Sequence, residues 1–507
     1  MRVSLSFLAA TAAATALLSA PAPVDAATAC TTKGTKHTGA AGRSYTTYAF
    51  PSASFGPNGG WKSLPDSSKV CGAILHRNLK LPKASSQLTL PVYESAIDNP
   101  AGVLRVVIGT EAKGRDGWTY WTSLNNAKKK AYADNSYISS HQQIAVIVPQ
   151  FLGPKDRADG SATATDLLFH GNDWADGQNG INPKKLGAES VSSFDVIDAI
   201  VSYIGTKYPN AQRIVFGGHS MGAQFVHRYT ALRKEGQRDM HFVAMNPGTW
   251  LYFNHSRISW NDKANCPAYD DYKMGISQRT GASPLPAYAA SDIARLGRTG
   301  LTTRIADRRL HLLVGSNDNG SGDYSCEAKA QGTSHRNRGQ RYLQSVIQSL
   351  PANNAALQRA GGPRVLYNSQ GPGKAGVPQK WTWDVVSPCT HNEVCMFNSV
   401  QGQKRLYLDG FPRGGARRDV DDDDDEEVLE TRAGSFMARM HAKPHALAWR
   451  KSCVTSTLDL LMLRDQRIPI TCLNYAVRRP VGELDYQRPL LFQRETGHAR
   501  HGTRLRR

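Results

Sequence analysis

At 507 residues the chain has room for one large domain with additions, or for roughly two to three average ones. A hydrophobic content of 40% with 8% aromatic residues suits a globular protein with a sizeable core. The formal charge of +20 is spread along the sequence without a basic helix or an aromatic-basic stripe. That excludes nucleic acid as the expected partner and leaves a cationic exported protein, suited to acidic polymers or membrane surfaces.

The first residues, Met1 to Ala26, read as a secretory signal peptide: Arg2, then the apolar run LSFLAATAAATALL, then Val24-Asp25-Ala26 as a small-residue cleavage site, with an earlier cut after Ala20 left open. No later stretch holds the ~18 consecutive apolar residues that a membrane span needs, so no stable membrane span and a secreted, extracellular location are expected. Eight cysteines form an even set without CxxC spacing, as in oxidised exported proteins. Proximity along the chain suggests the pairs Cys30–Cys71, Cys266–Cys326 and Cys389–Cys395. Asn254 and Asn319 stand in N-x-S sequons and are candidate glycosylation sites.

Residues 27–100 are rich in Ser, Thr, Gly and Pro and are expected to supply the outer strands of a sheet, Gln87–Tyr93 among them. Val103–Ile108 is a stronger buried strand, followed by the turn-rich loop Gly109–Gly117, the aromatic residues Trp118, Tyr120 and Trp121, and a polar helix around Asn125–Tyr132. Ile144–Val148 is the next strand, stopped by Pro149, and the long loop from Gln150 to Lys185 carries Phe151, Phe169 and Trp174. Ser190–Lys207 places Phe194, Ile197, Ile200, Val201 and Ile204 on one helical face. Strands at Phe242–Met245, Leu310–Val314 and Lys380–Val386 and a helix at Gly339–Leu350 complete an alternation that predicts a mostly parallel sheet covered on both faces. Residues 251–298, irregular and rich in aromatic residues (Tyr252, Phe253, Trp260, Tyr269, Tyr272 and Tyr288), are a candidate small cap over a pocket. Those aromatic residues and Trp174 are equally readable as pocket lining or as packing. Beyond residue 410 the sequence becomes an acidic run, Asp419–Glu427, and then an Arg-rich stretch. The expected organisation is a signal peptide (1–26), a catalytic domain (27–410) and a low-complexity tail (411–507) expected to be disordered.

One stretch carries chemistry. Arg213–Leu232 reads RIVFGGHSMGAQFVHRYTAL: a short apolar strand, a glycine-rich turn and a helix. Gly218-x-Ser220-x-Gly222 is the nucleophile-elbow pattern, in which a serine on a strained strand-to-helix turn needs small residues two before and two after it. The turn exposes the Ser220 hydroxyl and sets the Met221 N–H at a helix N-terminus, where an oxyanion can be held. Such a serine needs a base, and the base needs a carboxylate to fix its tautomer. Asp318, in the Gly-x-x-Asp turn that ends the Leu310–Val314 strand, is placed for the acid, with Asp307 and Asp323 as rivals. His391, just after the last strand and flanked by Cys389 and Cys395, is placed for the base, with His335 the main rival and His311 read as structural.

The motifs FGGHSMG, LLVGSND and THNEV, in that order, resemble those of the α/β-hydrolase superfamily, specifically secreted, fungal-type serine hydrolases of the lipase/esterase kind. The resemblance spans about residues 85–410. It implies an α/β fold, a Ser220–His391–Asp318 triad and no metal or organic cofactor. It also implies a second oxyanion N–H from the loop after the third strand, which here is Gly109–Gly117, with Ala112 or Lys113 as donor. The expected substrate is a small-molecule or polymeric ester, cleaved through an acyl-enzyme; the oligomeric state is not read. A serine peptidase or acyltransferase on the same fold, and a catalytically silent hydrolase-like surface protein, are the competing expectations.

Overall fold

A computed structural model describes residues 30–81, 88–182, 190–281, 283–349 and 380–412. The expected signal peptide, Cys453, Cys472 and the tail from residue 413 onward lie outside the described residues.

A small antiparallel hairpin, β1 (Gly34–Thr38) and β2 (Ser44–Tyr48), precedes an eight-stranded sheet. The sheet strands are β3 (Ala73–Lys80), β4 (Thr89–Ser95), β5 (Arg105–Ile108), β6 (Ile144–Pro149), β7 (Arg213–His219), β8 (His241–Met245), β9 (Arg309–Gly315) and β10 (Trp381–Val386). Their order across the sheet is β10-β9-β8-β7-β5-β6-β4-β3. β5 to β10 run parallel, and β4 is antiparallel to both its neighbours. Between and after the strands lie α1 (Gly117–Asp134), α2 (Pro154–Asp159), α3 (Ser193–Lys207), α4 (Met221–Leu232), α5 (Ala290–Ala306), α6 (Cys326–Gln331) and α7 (His335–Ser349). This is the α/β-hydrolase fold.

The central strands β5 to β9 read as mainly apolar runs because both faces of the sheet are covered there. Alternate residues feed two cores. Val106, Ile108, Phe216, Ala244, Leu312 and Val314 pack against α3, α4, α5 and α7. Val107, Val215, Val243, Met245, Leu313 and Val386 pack on the other face against α1 and the segment around Phe397 and Tyr407. The chain leaves β5 to form β6 on one side and returns as β7 on the other. The loops after β5 and β7 therefore leave the same carboxyl edge side by side, where an open parallel sheet gathers its functional groups.

Two helices are longer than the sequence suggested. α1 starts at Gly117 rather than near Asn125, because Trp118, Trp121 and Leu124 follow one another at three-residue spacing and are buried. α7 starts at His335 rather than Gly339. Within residues 251–298, Tyr252, Phe253, Tyr272 and Tyr288 belong to the buried core cluster, as does Trp174, so these aromatic rings are packing. The last nine residues of that range, from Ala290, already belong to α5. The three disulfides expected from proximity, Cys30–Cys71, Cys266–Cys326 and Cys389–Cys395, are formed.

Candidate active site

Ser220 stands between β7 and α4 with φ 57° and ψ −121°, a left-handed backbone that a serine adopts only where its surroundings impose it. The close approach explains both flanking glycines. A Cβ on Gly218 would lie 2.6 Å from the Gly222 carbonyl, and one on Gly222 would lie 2.5 Å from the Glu111 carbonyl oxygen in the loop after β5. Met221 is the first residue of α4, so its N–H is one of those a helix leaves without an intrahelical acceptor. Ala112, nearly buried at 6% exposure, lies on the loop that Gly222 touches at Glu111.

Ser220, His391 and Asp318 meet at the carboxyl edge. His391 Nε2 is 2.8 Å from Ser220 Oγ, and His391 Nδ1 is 2.9 Å from Asp318 Oδ2. An ionised carboxylate only accepts, so Nδ1 carries the proton and Nε2 presents its lone pair to the serine hydroxyl. Burial by itself would raise the Asp318 carboxyl. Hydrogen bonds from His335 and His391 outweigh it and hold the carboxyl at about 2, so Asp318 is an anion at neutral pH. The rivals are elsewhere. Asp307 pairs with Lys380 at 2.7 Å on the surface, Asp323 accepts from the Ser325 N–H, and His311 sits inside β9 against Thr382 and His241.

His335 is not excluded from the site; it shares the acid. Its Nδ1 lies 2.8 Å from Asp318 Oδ1, and its ring stacks on that of His391 with centroids 4.2 Å apart. A third imidazole, His219, lies 4.7 Å from His391, centroid to centroid. Burial, reinforced by His391, pushes the His219 imidazole well below its usual range and keeps it neutral. Asp318, His335 and His391 also bring three potential metal-ligand atoms within 4.8 Å of one another. Both Nδ1 atoms donate to the carboxylate, so a cation among these atoms would have to displace those protons.

Two supporting residues carry no local sequence signal. Gln150, fully buried, accepts from the Gly117 N–H at 2.9 Å and donates to the Arg115 carbonyl at 2.9 Å, pinning the end of the loop after β5. Asn246, at the end of β8, bridges the exits of β9 and β10. Within the same loop, burial pushes the Glu111 carboxyl well above the usual range although Arg115 opposes it, so Glu111 is neutral beside the elbow. Among the described residues its carboxyl accepts a hydrogen bond from the Phe151 N–H, at 3.2 Å.

No protein-family model matches the chain, and no curated protein matches it. Among solved structures it is similar to a poly(aspartic acid) hydrolase from Sphingomonas sp. KT-1, with 17% identity over 66% of this chain and 98% of that one and a TM-score of 0.41. It is also similar to a poly(3-hydroxybutyrate) depolymerase from Bordetella parapertussis, with 15% identity over 64% and 85% of the two chains and a TM-score of 0.39. A siderophore hydrolase from Aspergillus nidulans aligns at 9% identity over 68% and 98%, with a TM-score of 0.33.

Proposed function

We propose that this protein is a secreted serine hydrolase that cleaves carboxylic esters through Ser220, His391 and Asp318. The observation that carries the reading is the pair of hydrogen bonds, 2.8 and 2.9 Å, that joins a strained serine to a carboxylate through one imidazole. In this mechanism His391 Nε2 takes the Ser220 proton as Oγ attacks the ester carbonyl. The N–H groups of Met221 and Ala112 hold the oxyanion, a contribution worth about 10²–10³ in rate per donor. His391 then protonates the leaving alcohol, activates a water and returns the proton to Ser220 as the acyl-enzyme is hydrolysed. Asp318 stays ionised and stabilises the imidazolium. Neutral Glu111 adds no negative charge beside the forming oxyanion.

Export is supported by the three disulfides, which persist in oxidising compartments. Among the described residues no helix is long and apolar enough to cross a membrane. The test is turnover of p-nitrophenyl esters of graded acyl length by wild type and Ser220→Ala. Hydrolysis of some ester, reduced in the variant by about 10⁶, supports the reading. Equal rates in the two proteins contradict it.

A further inference from the structure

We propose that His335 is a positioning residue for this site: its Nδ1–H holds one oxygen of Asp318 so that the other faces His391. The proposal rests on the hydrolase reading above and adds a fourth side chain to it.

The geometry is explicit. Asp318 Oδ1 accepts from His335 Nδ1 at 2.8 Å and Oδ2 accepts from His391 Nδ1 at 2.9 Å. Among the described residues these two imidazoles are the side chains hydrogen-bonded to that carboxylate. A carboxylate with one partner is free to turn about its terminal torsion, which is broad and two-fold. A second donor on the other oxygen removes that freedom and leaves Oδ2 directed at the base.

His335 is itself held tightly. It is the first residue of α7, its N–H donates to the Gly320 carbonyl at 2.9 Å, and its side chain is 7% exposed. Its ring lies against three glycines. A Cβ on Gly322, where φ is +60°, would fall 2.2 Å from Nε2, and Cβ atoms on Gly248 and Gly320 would each fall 3.9 Å from the ring. Arg338, fully buried one turn along α7, fixes the walls of that slot. Its guanidinium donates to the carbonyls of Gly248 (2.8 Å), Ser321 (2.6 Å), Asp323 (2.8 Å) and Gly332 (3.1 Å). The aspartate loop is thus built around the imidazole.

The stack adds a constraint. When His391 becomes an imidazolium during the reaction, the face of the His335 ring is 4.2 Å away, and a second positive charge there would oppose it. His335 serves the carboxylate as a donor through Nδ1. It neither touches the ester nor carries the proton.

The test uses the full chain and compares wild type with His335→Ala, His335→Asn and His335→Gln. An asparagine amide sits near the place of Nδ1 and keeps the donor; a glutamine amide reaches instead to the place of Nε2. Loss of a hydrogen bond to a charged group predicts a kcat for His335→Ala lower by about ten- to a hundredfold, with KM within about twofold of wild type. Labelling by a fluorophosphonate should slow in the same ratio, and His335→Asn should recover most of both while His335→Gln does not. Unchanged kcat and labelling in His335→Ala overturn the proposal, and so does equal loss in Asn and Gln. If His335→Ala does not fold, the Asn and Gln pair decides in the same way. Failure of folded wild type to be labelled overturns the hydrolase reading, and His335 positioning with it. Labelled wild type with an indifferent His335 overturns this proposal alone.

Discussion

The Asn246 amide donates to the Thr390 carbonyl at 3.0 Å and accepts from the Gly315 N–H at 2.7 Å. Thr390 precedes His391 and Gly315 lies three residues before Asp318, so one fully buried side chain sets the spacing of the base loop against the acid loop. Its backbone has φ 50°, which asparagine tolerates better than most residues. Gly315 completes the contact, since a Cβ there would lie 2.4 Å from the Cys389 carbonyl. Asn246→Ala strands the buried Gly315 N–H and removes the donor to the Thr390 carbonyl. The expected outcome is a loss of about 2 kcal/mol or more in chemical unfolding, with kcat reduced beyond what the unfolded fraction explains. Full activity in the folded variant would detach Asn246 from the site.

Gly222→Ala drives a methyl toward the Glu111 carbonyl, to 2.5 Å before any relaxation. The loop carrying Ala112 must then retreat from the elbow. If Ala112 supplies an oxyanion donor, kcat/KM falls by about 10²-fold while Ser220 and His391 stay in place. Steady-state kinetics with circular dichroism as the folding check measures this; wild-type kcat/KM would mean that the loop supplies no donor.

Glu111 offers a charge test. Burial keeps its carboxyl protonated well above the pH at which an unfolded glutamate ionises, near 4.5. The folded state therefore holds a proton that the unfolded state has lost, and its stability falls as pH rises through and above that value. Glu111→Gln mimics the neutral form. It should keep most activity at pH 7 and gain stability relative to wild type as pH rises from 4 to 8, followed by urea unfolding. A parallel pH dependence in the two proteins would count against a neutral Glu111.

Glu94 gives the opposite sign, far from the elbow. Its buried carboxylate takes Tyr208 at 2.7 Å and Tyr203, Lys207 and His76 at 2.8 Å. Burial alone would raise it, but His76, Lys207 and Tyr208 prevail and hold it at about 2 against an ordinary 4.5. This contribution is fully present above about pH 4.5 and is lost as pH falls toward 2, at about 1.4 kcal/mol per pH unit, so about 3 kcal/mol in all. Glu94→Gln should be less stable at neutral pH and should show a flatter stability curve between pH 5 and 2. An equally steep curve would assign the acid sensitivity to other carboxylates.

Much of the architecture was legible because its signals are local. The apolar runs of β5 to β9 mark strands buried on both faces, and Gly218-x-Ser220-x-Gly222 encodes a turn whose crowding only glycine satisfies. Asp318 and His391 were singled out by chain order and strand ends, and the structure sets both within hydrogen-bonding distance in one chain with Ser220. What stayed hidden depends on contacts distant in sequence. β3, with His76, Arg77 and Asn78 in its middle, is a half-exposed edge strand with little apolar pattern. The start of α1 was obscured by the turn-rich residues before Trp118. Lys128, within the polar part of that helix, is buried and donates to the Ser95 hydroxyl and the Ile144 carbonyl. Asn246, Gln150 and the second claim of His335 on Asp318 emerge only when the sheet brings separate loops to one edge.

The proposed mechanism requires Ser220 to be an activated nucleophile. Its most direct test is fluorophosphonate labelling of the purified protein, with the modified peptide located by mass spectrometry in wild type and Ser220→Ala. One adduct on Ser220, absent from the variant and slowed in His391→Ala, is the predicted result. Well-folded wild type that takes up no label, or takes it at another residue, would contradict the account and leave a hydrolase scaffold without the chemistry.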